Sequence, residues 1–263
     1  MSSLREIEAV EFAGESATSA AERFIGRVKA QGERSRRRLV SPSDFIAEEI
    51  ARLITHGAFL GGDRLRESEM AERFKVSRTI IREAFSQLKR SGLIDSARAR
   101  GVRVAVLTPE QVVELYEVRS VLLMLAARRA VERQDPACAA ALGEGVPILR
   151  ALAAEPDTTI SLFMGVHTFL GSAMVVAAGN PELTETITAV DTRLSLYHLS
   201  ARTPERRQMM ALNWAAFEGA YERRDGVEGA LIVQRMVAES RAELLRQMGA
   251  SQADRPPARQ RVR

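Results

Sequence analysis

The sequence predicts a mainly α protein, an N-terminal winged helix-turn-helix followed by an all-α six-helix bundle. Three observations carry this. Residues 41–107 read in order as helix, helix, turn, helix and hairpin. From Thr108 to Gln247 apolar residues recur at helical spacing, and every break falls at a proline or glycine turn. Third, "KVSRTIIREAFSQLKRSGLI" places Arg78 and Arg82 at a helix start, where the macrodipole disfavours cations by roughly 0.3–1 kcal/mol. Arginines held there at a cost point at something anionic.

The elements follow in chain order. Residues 1–40 read as a flexible basic arm, in which "ERFIGRVKA" can form a short helix. Its block of Arg34, Arg36, Arg37 and Arg38 is either a solvated tail or a nucleic-acid contact. Ser41-Pro42-Ser43 opens the first helix of the compact unit, with Phe45, Ile46, Ile50, Leu53 and Ile54 at helical spacing. "HGAFLGGDRL" ends it. "ESEMAERF" is a short second helix whose first turn carries Glu67 and Glu69, as the dipole favours. After a turn at Lys75-Val76, Ser77 caps the third helix, which buries Ile81, Ala84, Phe85 and Leu88 and stops at Gly92. "LIDSA" and "GVRVAVL" around "RARG" form a hairpin.

In such a unit the second helix of the helix-turn-helix enters the major groove, with its N-terminal residues at the base edges. Ser77, Arg78, Thr79 and Arg82 occupy those places. Arginine suits guanine O6 and N7, each bidentate pair discriminating by roughly 1–3 kcal/mol. Arg98, Arg100 and Arg103 in the hairpin would reach the adjacent backbone or minor groove.

Thr108-Pro109-Glu110 caps the first of six bundle helices, read as 109–133, 136–153, 158–178, 181–200, 205–224 and 227–247. Arg119 lies on the apolar face of the first, beside Leu115, Tyr116, Leu122 and Leu123. A buried arginine needs an anion, either an internal acid or the carboxylate of a small ligand. His167 is the polar member of the stripe Phe163, Leu170, Met174; it is a satisfied core histidine or a donor to a ligand. Trp214, Phe217 and Tyr221 share a face, with Asn213 at its edge. The basic, proline-bearing segment 249–263 reads as a disordered tail.

Composition limits the function classes. A chain of 263 residues, 46% hydrophobic and of net charge +4, has room for two cored domains. One cysteine, Cys138, excludes an internal disulfide and suits a reducing cytoplasm. No apolar run approaches the ~20 residues that span a bilayer. The N-terminus shows no signal peptide, and no membrane partner is expected. No nucleophile–base pair, paired carboxylates or phosphate loop appears, so no enzyme activity and no catalytic residue are expected.

"RLRESEMAERFKVSRTIIREAFSQLKRSGLI" followed by "RARGVRVA" resembles the DNA-binding domain of GntR-type bacterial transcription regulators, over residues 43–107. The resemblance implies base contacts from Arg78 and Arg82, phosphate contacts from Ser77 and Thr79, and a wing turned at Gly101. The DNA-facing set is then Arg66, Ser77, Arg78, Thr79, Arg82, Arg98, Arg100 and Gly101. Ile80 stands where the family commonly has proline, and Lys75 where it commonly has glycine. A non-glycine residue in a left-handed turn there costs on the order of 1 kcal/mol.

"LYEVRSVLLMLAARRA", "VHTFLGSAMVVAAGNPEL" and "FEGAYERRDGVEGA" resemble the FCD effector domain, in its six-helix, vanillate-regulator-like arrangement, over residues 108–248. The resemblance implies that Arg119 meets a carboxylate effector. Many FCD domains hold a divalent metal with one aspartate and three histidines. The corresponding positions here are Phe163, His167, Trp214 and Met236, with His56 and His198 outside the pattern. No metal or other cofactor is therefore expected. The expected effector set is Arg119, Phe163, His167, Asn213, Trp214 and Met236, around an acid with an apolar body. The expectation is a homodimeric cytoplasmic regulator, in the family's usual sense a repressor, on a palindromic double-stranded operator. The competing reading is a DNA-binding protein with no effector, its pocket packed shut by Phe163, Trp214 and Met236.

Overall fold

The computed structural model describes residues 16–36, 41–55, 57–97, 101–194 and 203–253. Helix α2 (Pro42–Thr55) starts on a reciprocal cap: Ser41 Oγ accepts from the Asp44 N–H at 3.1 Å, and Asp44 Oδ2 accepts from the Ser41 N–H at 3.1 Å. Those Ser41 bonds, side chain first, and then Gln87 hold the Asp44 carboxyl below its ordinary range. The Gln87 amide donates to Asp44 Oδ1 at 2.7 Å and so ties α2 to α4 (Arg78–Arg90). Between them lie β1 (Arg64–Leu65) and α3 (Glu67–Phe74).

Strands β2 (Ile94–Ala97) and β3 (Gly101–Val104) form the expected hairpin, and β1 adds to it, giving the antiparallel order β1-β3-β2. Arg64 pairs with Arg103, and Ile94 with Val104. Two residues are too few to show alternation, so β1 has no strand signal in the sequence. Ile46, Ile50, Ile54, Leu65, Ile81, Leu88 and Ile94 form the core of this unit. Lys75 is left-handed (φ 54°, ψ 44°), as the resemblance implies for that turn.

The bundle consists of α5 (Pro109–Arg133), α6 (Pro136–Ala154), α7 (Ile160–Ala177), α8 (Pro181–Leu194), α9 (Pro204–Glu222) and α10 (Gly226–Ala253). Local chemistry sets its starts. Thr108, Asp135, Thr159 and Thr203 each accept first-turn N–H bonds, and proline follows the cap in α5, α6 and α9. Helix α5 packs most extensively along α10.

Three expectations change here; the smallest is that residues 249–253, read as the start of a disordered tail, continue α10. Residues 17–36, read as part of a flexible arm, form α1 (Ala17–Arg36), which packs on α6 and α7. Ala17, Ala20, Ala21 and Phe24 are buried, a period-3.6 stripe of mostly small residues that a charge-dominated reading overlooks. The Phe24 and Phe169 rings meet edge to face, centroids 4.9 Å apart, and Arg27 pairs with Glu144. Two glycines admit α1: a Cβ on Gly145 would lie 3.0 Å from Phe24 Cζ, and one on Gly165 would lie 2.6 Å from Ile25 Cδ1. Arg37, Arg38 and the end of the basic tail lie outside the described residues.

The third change concerns apolar length. Helices α6 and α7, of 19 and 18 residues, are long and apolar enough to cross a membrane by length and composition, at mean hydropathy 1.4 and 1.7. Alanine raises the mean of α6, whereas in α7 large apolar side chains carry it and Gly165, His167, Thr168, Gly171 and Ser172 interrupt their run. Both helices pack on each other, and α6 also on α9.

Among the described residues, Gly92 and Arg193 bring the two units together. Gly92, at φ +73°, follows the C-cap of α4, and a Cβ there would lie 3.0 Å from Arg193 Nε on α8. The Arg193 side chain thus lies over the turn that ends α4.

Candidate nucleic-acid interface and bundle cavity

At the start of α4 the Ser77 Oγ accepts from the Ile80 N–H at 3.4 Å, so this hydroxyl caps the helix. Arg78, Thr79 and Arg82 are exposed beside it. The Arg82 Nε donates to Glu67 Oε2 at 2.8 Å, and Arg66 pairs with Glu69. Both pairs are solvent-exposed. Such pairs contribute about 0–1 kcal/mol, so a phosphate or base edge competes for either guanidinium at little cost. Gly101, at φ +71°, starts β3.

Arg98 and Arg100 lie outside the described residues. Arg103, expected to reach outward, instead donates to the Gly62 carbonyl at 2.7 Å and braces the sheet. Arg64 takes an outer place: it is exposed, and its guanidinium lies about 3.5 Å from where a Gly101 Cβ would be. Arg64 belongs to β1, and without a strand signal nothing in the sequence sets it beside the wing.

The bundle holds a cavity of about 370 Å³, walled by α5, α7, α8, α9 and α10. Four of the six expected effector residues line it: Arg119, His167, Trp214 and Met236. The other two do not. Phe163 is fully buried in the core, one turn of α7 away from His167. Asn213 is turned toward α10, where its amide donates to Glu239 Oε2 at 2.9 Å and its carbonyl accepts from Arg235 Nε at 3.3 Å. That Glu239 carboxylate also accepts from the nearly buried Arg206 at 3.0 Å, and a third polar group is drawn to an already desolvated pair. Trp214 and Met236 wall the cavity without filling it, which removes the ground for a pocket packed shut.

Arg119 has an internal partner. Its Nε donates to Asp191 Oδ1 at 2.6 Å, and its guanidinium lies 5.8 Å from the Tyr116 ring centroid. Of the two alternatives read from sequence, the internal acid is present, and it too lines the cavity. The signal that could have found Asp191 is the i, i+4, i+7 face of α8, Thr184, Thr188 and Asp191.

The Trp214 indole N–H donates to His167 Nδ1 at 2.8 Å, with the rings tilted at 73°. A neutral His167 accepting there carries its proton on Nε2. This bears on the metal of the resemblance. Phe163 and Met236 offer no hard or borderline donor, and one imidazole nitrogen is occupied by the indole. Among the described residues no group of three or more His, Cys, Asp or Glu converges. The residues present do not fit a divalent ion. Protein purified without chelator is expected to contain much less than one zinc, nickel or manganese per chain by elemental analysis, and chelation is expected to leave its Tm unchanged. Stoichiometric metal that His167→Ala abolishes would overturn this.

Cys138 is buried, and desolvation pushes its thiol up to about 11, so it is no ready nucleophile at neutral pH.

Residues 42–104 match the family model of bacterial regulatory proteins, gntR family, and residues 114–254 match the FCD domain. The chain belongs to the GntR family, with an FCD domain. Its relatives include the HTH-type transcriptional regulator YdhC of Bacillus subtilis, 33% identical over 87 residues, 33% of this chain and 39% of that protein. The Nta operon transcriptional regulator of Aminobacter aminovorans is 29% identical over 140 residues, 52% of this chain and 63% of that protein. The matched segments thus span less than two thirds of these relatives' own length. Among solved structures, Escherichia coli McbR/YncC superposes with a TM-score of 0.69 at 22% identity, over 80% of this chain and 100% of that one. That likeness speaks for the fold of this GntR/FCD chain: both units, in this order.

Proposed function

We propose that this GntR/FCD chain is a cytoplasmic, ligand-responsive regulator of transcription. It binds a palindromic DNA operator as a homodimer, as a repressor in the family's usual mode, and takes a small effector with a carboxylate in the bundle cavity. The observation that carries the ligand response is the course of α8. Asp191 and Leu194 line the cavity, while Arg193, between them, lies against Gly92 at the end of α4. A ligand that repositions Asp191 therefore acts on the same helix that abuts the DNA-reading unit, and it shifts the population of head orientations. The operator face is Ser77, Arg78, Thr79 and Arg82, with Arg66, Arg64 and the wing around Gly101 on the flanking backbone. Arg98 and Arg100 belong to the same proposed set by sequence.

A second copy would cover Val118, Val121 and Leu125, exposed large apolar residues on one stripe of α5. Two α5 helices running antiparallel about Val121 bring Glu114 opposite Arg128, a self-complementary pairing suited to a two-fold interface. The test is selection of DNA from a random pool by the purified protein. Enrichment of a two-fold symmetric site with half-sites about one turn apart is expected. Recovery of no preferred sequence would defeat the reading.

A further inference from the structure

Resting on the effector reading above, we infer that the cavity is built for a zwitterion: a small molecule carrying both a carboxylate and a protonated amine on an apolar body, as an amino acid does. Among the described lining residues the fully charged side chains are Arg119 and Asp191, one of each sign, joined at 2.6 Å. A simple carboxylate placed on Arg119 has to displace Asp191 or sit beside it. Either outcome sets a second negative charge beside the Asp191 carboxylate, and like charges that close repel. A ligand with both charges exchanges one ion pair for two and keeps the cavity neutral.

The hydroxyls of α8 point the same way. The Thr184 Oγ1 donates to the Asn180 carbonyl at 3.1 Å, and the Thr188 Oγ1 donates to the Thr184 carbonyl at 2.7 Å. Both threonines line the cavity with their protons already committed, so toward a ligand these oxygens only accept. The α8 wall therefore offers a carboxylate and two acceptors, matched to the three donors of an ammonium. The α5 wall offers the Arg119 guanidinium, which only donates. Leu123, Ile187, Val233 and Trp214 are left for an apolar body. The roughly 370 Å³ available lies in the usual range for small ligands.

The experiment is calorimetric titration of the full chain with matched triads. Each triad is an apolar amino acid (valine, leucine, methionine or phenylalanine), the acid lacking its amine and the amine lacking its carboxylate. The expected result is that at least one amino acid binds ten-fold or more tightly than both of its single-charge analogues. Asp191→Asn should shrink that ratio to about one. Should Asp191→Asn fold poorly, Thr188→Val is expected to weaken the amino acid several-fold and leave its des-amino acid unchanged. Tighter binding of a des-amino acid than of its zwitterion, or discrimination that survives both substitutions, overturns the inference while the effector reading stands. Binding of no member of any triad overturns the inference. If a wider panel of sugars and alcohols also fails to shift Tm or release operator DNA, the effector reading falls with it.

Discussion

Phe24→Ala is expected to destabilise the bundle by about 3–5 kcal/mol, the usual cost of emptying a buried phenylalanine site. That is a large part of the roughly 5–15 kcal/mol by which a domain is folded. Phe24 is buried, packs edge to face on Phe169 and approaches the backbone of α6 where Gly145 leaves room. Its removal leaves a void between α1, α6 and α7, and glycine-lined helices cannot extend side chains to fill it. Urea denaturation followed by circular dichroism reads the loss. Arg27→Ala, which removes the exposed pair with Glu144, is expected to cost about 1 kcal/mol or less. A Phe24→Ala midpoint equal to that of the parent would remove α1 from the bundle core. The same packing changes what deletion of residues 1–40 reports. Phosphate contacts from Arg34 to Arg38 would weaken binding evenly across sequences and lower its salt dependence. Deletion also uncovers the faces of α6 and α7, so its effect on DNA is interpretable only beside a stability measurement.

Arg78→Ala and Arg82→Ala are each expected to weaken operator binding by roughly 1–3 kcal/mol and to relax preference at one base position per half-site. Fluorescence anisotropy against the selected operator and against single-base variants reads both effects. The two arginines differ in their ground state. Arg82 is held by Glu67 at 2.8 Å, so Glu67→Ala is expected to leave operator affinity unchanged or slightly raised, since the arginine no longer leaves a partner to reach DNA. Full affinity and full base preference in Arg78→Ala would take α4 out of the proposed reading role.

The two candidate sites were legible to different depths. Around α4 almost everything was readable, because each feature depends on neighbours within a turn: the Ser77 cap, the left-handed Lys75, the positive φ at Gly92 and the helix-period stripe Ile81, Ala84, Phe85 and Leu88. The cavity was only partly readable. Arg119, His167, Trp214 and Met236 were found because each is unusual for its helix or its family position. Phe163 and Asn213 were placed in the cavity by the same reasoning, yet the core and the Arg206–Glu239 pair hold them elsewhere. Asp191 was missed because an acid on a half-exposed helix face looks like ordinary surface.

The sequence by itself determined the order of helices α2 to α10, the wing hairpin and the family. Caps, prolines, glycines and apolar periods act through bonds to residues a few positions away, and such bonds form the same way in any tertiary setting. Only the tertiary structure decided the docking of α1, the joining of β1 to the wing, the partner of Arg119 and the charge balance of the cavity. The Arg119–Asp191 contact spans 72 positions of chain, and five helices wall the cavity. Which side chains meet there depends on how helices cross and where glycines let them approach. An apolar period tells which face of a helix is covered, but not by what.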